Sequence, residues 1–167
     1  YWKKVKLVKD LLKTKNYKYV MWLDTDATII NLHKKLLNFI ENLIENKDML
    51  ISNDMPPWTS DNFNAGVWIV KNTNNGKKIM EEWLKNYRKD LWSKQGGKWS
   101  CKNCIWAKYP GYEQGVFQEQ ILNKYKNNIK QVNWKYLNNV PLTLLWQQTF
   151  NSEEPKSGKR TSCSFAI

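Results

Sequence analysis

Two aspartates one residue apart, Asp24 and Asp26, follow directly on Tyr17–Leu23 (YKYVMWL). The aromatic and β-branched residues of that run read as a buried strand, and no charge falls between Val20 and Leu23. A strand ending in carboxylates delivers them to the carboxyl edge of a sheet, where open α/β folds bind ligands. Residues i and i+2 of an extended chain point to one side, so both carboxylates can face one ion. Hard oxygen donors suit Mg²⁺ or Mn²⁺, and such an ion shares its shell with substrate phosphates. The same pair also reads as a turn former, or as a cap for the helix that follows.

Two more segments carry chemistry. In Phe63-Asn64-Ala65-Gly66-Val67, entering a strand, Gly66 lets backbone approach a ligand closely and Asn64 offers both donor and acceptor. The segment is equally consistent with an ordinary turn before a strand. Tyr112-Glu113-Gln114-Gly115 stands at an expected helix start. There Glu113 either complements the helix dipole or joins Gln114 as a carboxylate–carboxamide pair aimed into a cleft. Cys101-Lys-Asn-Cys104 has the spacing of half a zinc site, but no second CxxC or HxxxH pair completes it. A local or long-range disulfide, or free thiols, fits better, and with Cys163 the count is odd. His33, the sole histidine, reads as a surface or capping residue. Trp58, Trp92, Trp99 and Trp106 could stack on sugar rings or fill a core.

The elements that must position these residues alternate. Val5, Val8, Leu11 and Leu12 recur at helical spacing over residues 2–14, and Asn16 breaks the pattern. A helix is expected over Leu32–Ile44, a strand over Met49–Ser52 and a Pro-containing loop over Asn53–Asn62. Gly66–Lys71 reads as a strand, Asn74–Gly76 as a turn and Lys77–Lys89 as an amphipathic helix. Residues 90–112 read as irregular, and Glu113–Lys126 as a helix. Ile129–Val132, Val140–Trp146 and Thr161–Ile167 read as late strands, with a polar tail over Asn151–Arg160. The alternation predicts an α/β domain with a largely parallel sheet and flanking helices.

The chain has 167 residues, enough for one domain, and no apolar run approaches the roughly 20 residues of a membrane span. Its net charge of +12 attracts polyanions, nucleic acid among them. The lysines are spread from Lys3 to Lys159, and Asn is also abundant, which reads as compositional bias. A nucleic-acid binder leaves the strand-end acid pair unexplained, and no helix-turn-helix, RRM signature or zinc finger is present. A Mg²⁺-dependent phosphoryl-transfer enzyme also uses strand-end aspartates, but the glycine-rich GK[ST] loop of P-loop enzymes is missing. A catalytically inert, lectin-like domain is a third alternative.

The ordered set of motifs resembles nucleotide-sugar glycosyltransferases of the GT-A fold. It is similar in particular to the Golgi family of α-galactosyl-, α-mannosyl- and xylosyltransferases. The landmarks are Trp2-Lys3, Trp22–Asn31, Phe63–Asn72, Glu113-Gln114 and Phe150-Asn151-Ser152, so the resemblance spans about residues 2–152. It implies transfer of a sugar from a nucleoside-diphosphate sugar to a glycan or protein-linked acceptor, with retention of configuration. Asp24 and Asp26 would hold Mn²⁺ (or Mg²⁺) against the donor diphosphate. Asp24, Asn64, Ala65 and Gly66 would bind the donor, and Glu113 and Gln114 would lie near the anomeric carbon. Glu119-Gln120-Ile121-Leu122-Asn123 resembles the acid–glutamine pattern of related bacterial enzymes and ranks second. The resemblance also implies a βα unit upstream of Tyr1 and a histidine metal ligand after Ile167, so the chain is expected to be a domain truncated at both ends. It further implies a lumenal location in the secretory pathway, with any membrane anchor outside this chain and no nucleic-acid partner.

Overall fold

The computed structural model describes residues 1–14, 16–27, 29, 35–55, 62–105 and 108–137. His33, Trp58, Trp106, Cys163 and the strands expected over 140–146 and 161–167 lie outside the described residues. Helix α1 (Trp2–Lys13) buries Trp2, Val5, Val8 and Leu12, the stripe its spacing demands, together with Lys4. Strand β1 (Tyr19–Leu23) follows. Helix α2 (Leu36–Ile44) buries Ile40 and Ile44 and leads into β2 (Met49–Asn53). Strand β3 (Phe63–Lys71) starts three residues before the expected strand, so Asn64, Ala65 and Gly66 lie within it.

Helix α3 (Asn74–Lys85) absorbs the expected Asn-Asn-Gly turn into its first turn. The cause is Thr73, whose Oγ1 accepts from Gly76 N–H at 3.0 Å, an N-cap that starts the helix early. Gly76 is needed there, because a Cβ would lie 2.2 Å from the Lys71 carbonyl oxygen. Residues 90–112, expected to be irregular, contain a hairpin of β4 (Trp92–Gln95) and β5 (Lys98–Cys101). Gly96 and Gly97 turn it with φ of 54° and 80°, the left-handed pair that a tight hairpin turn needs. Cys101 and Cys104 are joined by a disulfide. The helix expected over Glu113–Lys126 is shorter: α4 (Glu113–Val116) widens into a π-helical stretch over Phe117–Ile121. Strand β6 (Ile129–Val132) and the short α5 (Trp134–Leu137) complete the described chain.

The main sheet has the order β1-β3-β2-β6. β3 runs antiparallel to both β1 and β2, whereas β2 and β6 are parallel. The α/β class stands, but the sheet is mixed where a largely parallel one was expected. Only nine residues separate β2 from β3, fewer than the dozen or so a parallel crossover needs, so β3 returns antiparallel. It then inserts between β1 and β2, separating the strands that α2 connects. Met49, Ile51, Trp68 and Val70 face one core with α1, α3 and the π stretch. Leu50, Val67 and Ile69 face another with α2 and α5.

Along β3 the alternation slips. Phe63, Ala65, Trp68 and Val70 share one core, a step of three between Ala65 and Trp68. The β2 partners show the same slip, since Leu50 pairs with Ile69 but Ser52 pairs with Asn64. An irregularity of this kind changes which face the residues beyond it present. It falls at Gly66, beside the end of β1.

Candidate functional site

Asp24 follows the last residue of β1, and its N–H donates to the Gly66 carbonyl at 2.9 Å. The chain then turns, with Ala27 N–H donating back to the Asp24 carbonyl at 2.9 Å. Asp24 and Asp26 therefore sit at the first and third positions of a tight turn, and the extended-chain argument for their shared direction does not apply. The turn-former reading of the pair is realised in the backbone, while both carboxylates stay partly accessible. The Asp24 carboxylate is aimed by its neighbours. Its Oδ1 accepts from Trp22 Nε1 at 2.5 Å, and Trp22 stacks on Trp68.

Asn64 folds its side chain onto its own strand, with Oδ1 accepting from Gly66 N–H at 2.8 Å. This side-chain bond two residues on holds the irregularity open. Nδ2 of Asn64 donates to Asp54 Oδ1 at 3.0 Å. The carboxamide expected to meet a ligand is thus already engaged in shaping β3. Asp54 also accepts from Met55 N–H. Burial nevertheless raises its pKa above the ordinary 3.8, against the lowering pull of these two bonds.

Glu113 and Gln114 open α4 and are nearly inaccessible, at 1% and 6% exposed. Gln114 Oε1 accepts from Ala65 N–H at 3.2 Å, tying the helix start to β3. Trp83 Nε1 donates to the Glu113 carbonyl at 2.9 Å, and Trp2 Nε1 to the Gly111 carbonyl at 3.0 Å. The loop behind packs without clearance, since a Cβ on Gly115 would lie 2.2 Å from the Lys108 carbonyl carbon and one on Gly111 2.0 Å from Cys104 Sγ. Trp92 and Tyr1 both lie against the Tyr112 ring, so the hairpin root abuts the residue before Glu113. Trp99, at the other end of that hairpin, is 63% exposed. The second-ranked pair, Glu119 and Gln120, is exposed on the π stretch, and Glu119 Oε1 accepts from Tyr109 N–H.

One residue joins these parts that the motifs do not single out. Lys4, 7% exposed, places Nζ 2.8 Å from the Ala65 carbonyl oxygen, 3.0 Å from Glu113 Oε1 and 3.5 Å from Asp24 Oδ1. The signal was its position: it lies one turn before Val8 on the apolar stripe of α1, where a solvated lysine does not belong. Asp54 was missed because nothing in Asn53–Asn62 separates a structural acid from a loop acid. Asp24, Ala65, Gly66, Glu113 and Gln114 are thus gathered from β1, β3 and α4. Asp26 lies in the adjoining turn, and among the described residues no side-chain hydrogen bond or ion pair ties it to the others.

Among the described residues no group of three or more His, Cys, Asp or Glu side chains forms a metal cluster. The donor set at the turn is two partly accessible carboxylates. That fits an ion held by one or two carboxylates plus substrate phosphates and water, and not one enclosed by protein.

The α/β frame is shared with a solved glycosyltransferase. That protein is described as a "glycosyltransferase involved in the glycosylation of the major capsid of PBCV-1". The two superimpose with a TM-score of 0.58 at 17% identity, covering 83% of this chain and 61% of that one. The chain belongs to the nucleotide-diphospho-sugar transferase family, whose model matches residues 1–161. No curated protein matches it by sequence.

Proposed function

We propose that this chain is the catalytic part of a metal-dependent glycosyltransferase that moves a sugar from a nucleoside-diphosphate donor to a hydroxyl acceptor. The observation that carries the reading is the convergence of Asp24, Ala65–Gly66, Glu113 and Gln114 around Lys4 at the end of β1. Family membership supports the donor class.

Asp24 and Asp26 would hold Mn²⁺ or Mg²⁺. When bound, such an ion neutralises charge that develops on the departing diphosphate. Trp22 and Lys4 fix the Asp24 carboxylate before any ligand arrives, so less ordering is left to be done on binding. Glu113 presents Oε2, a buried acceptor with no partner among the described residues, to a donor hydroxyl. Gln114 holds Ala65 and Gly66 against that position. Transfer breaks the bond between the anomeric carbon and the phosphate oxygen. The acceptor oxygen bonds to the same face of the sugar, and its proton leaves with the diphosphate. This retention follows the family resemblance of the motifs.

The test is a panel of UDP- and GDP-sugars, with and without Mn²⁺, added to the full-length protein. At least one nucleotide raises the melting temperature in a Mn²⁺-dependent way, and the product formed from that donor keeps its anomeric configuration by NMR. A chain that no nucleoside diphosphate stabilises, and that releases none from any donor, is not a transferase of this kind.

A further inference from the structure

Lys4 is where the site's charges meet, and no motif assigns it a role. A buried ammonium is strongly disfavoured unless paired and hydrogen-bonded. Lys4 is both, through Glu113 Oε1, the Ala65 carbonyl and, at longer range, Asp24 Oδ1. A lysine ammonium has three N–H donors; the Ala65 carbonyl takes one at 2.8 Å and Asp24 Oδ1 another at 3.5 Å, while Glu113 Oε1 is its ion-pair partner at 3.0 Å.

The consequence falls on Glu113. Its two carboxylate oxygens are made unequal: Oε1 is held by Lys4, whereas Oε2 is buried and meets no donor among the described residues. A carboxylate held by one oxygen keeps the other in a fixed direction. The Ala65 carbonyl locks the same ammonium to β3, and Asp24 links it to the end of β1.

We propose that Lys4 is a positioning residue: it fixes the Glu113 carboxylate so that Oε2 alone meets the donor sugar, and it sets the separation of Glu113 from Asp24. This deepens the transferase reading and rests on it. The role differs from ligand binding, because Lys4 acts through Glu113 and does not touch the substrate.

The experiment uses the full-length protein and measures release of nucleoside diphosphate from the UDP- and GDP-sugar panel in Mn²⁺. Lys4→Met keeps the stem and removes the charge. Its kcat falls on the order of 10- to 100-fold, as expected when a group that orients the donor sugar is displaced by about 1 Å, while KM for the donor changes far less. Lys4→Arg keeps the charge on a differently shaped head, so its melting temperature stays near wild type and its kcat falls less. In parallel, melting temperatures are compared for Lys4→Met, Glu113→Gln and the double variant. The double variant melts above Lys4→Met alone, because removing both charges relieves the unpaired carboxylate. Wild-type kcat in Lys4→Met, a loss confined to KM, or strictly additive melting shifts would each overturn the proposal. If Lys4→Met does not fold, Lys4→Arg decides: wild-type kcat there overturns it. Absence of turnover in the wild type defeats the transferase reading itself, and the positioning role with it.

Discussion

Asp54 shows how a residue can matter at this site without belonging to a motif. It holds Asn64, which holds Gly66, which accepts from Asp24 N–H. Because burial raises its pKa in the folded protein, its contribution to stability is present below the unfolded value near 3.8 and is lost as pH rises through the folded value. Asp54→Asn removes that loss and keeps an oxygen for the Asn64 and Met55 donors. Its melting temperature relative to wild type should therefore climb between about pH 3 and pH 7, and a constant difference contradicts this. At this scale the sequence singled out Asp24, Gly66, Glu113 and Gln114 by residue type and expected position, and the structure gathers them at one end of the sheet. Lys4 was hidden among 27 basic residues, and only its place on the apolar face of α1 set it apart. Asn64 was legible as important, but its expected partner was a ligand, whereas its observed partners are Gly66 and Asp54.

At the scale of elements, the start of α4 is the joint on which the site depends. Gly115 lies so close to Lys108 that a methyl group there would meet backbone atoms at 2.2 to 2.5 Å. Gly115→Ala must push apart the loop and the helix that carries Glu113 and Gln114. It should cost about 1–3 kcal/mol or more, read as a lower denaturant midpoint; an unchanged midpoint would show that the contact relaxes freely. The π-helical stretch follows at once, with Leu122 N–H donating to the Phe117 carbonyl at 2.9 Å. Such widened turns occur often at functional sites. They leave little trace in hydrophobic spacing, which is why Glu113–Lys126 read as one regular helix. The hairpin was unread because Trp92–Cys101 is mostly exposed and lacks the alternation of a half-buried strand. The mixed sheet was unread because strand order depends on which strand inserts between two others, and local pattern carries no such information.

For the molecule as a whole, two cores on opposite faces of one sheet hold the site at its end. Trp83 links the first of these cores to the site, packing on Trp68, Phe63 and Phe117 while its Nε1 donates to the Glu113 carbonyl. Trp83→Ala should destabilise the fold by about 3–5 kcal/mol, measured by chemical unfolding; a loss below about 1 kcal/mol would mean the core repacks around the gap. The net charge of +12 pointed first to nucleic acid. The site instead concentrates acids and amides around one buried lysine, with basic residues spread elsewhere, so charge at this scale speaks to association with anions generally. The central claim is that this cluster takes a nucleoside diphosphate through a divalent ion at Asp24 and Asp26. Calorimetric titration of UDP and GDP into the full-length protein, in Mn²⁺ and in EDTA, tests it most directly. The account predicts binding of at least one of them in Mn²⁺, weakened about tenfold or more by EDTA and likewise by Asp24→Asn or Asp26→Asn. Absence of binding, or equal affinity in EDTA and in both variants, would contradict it.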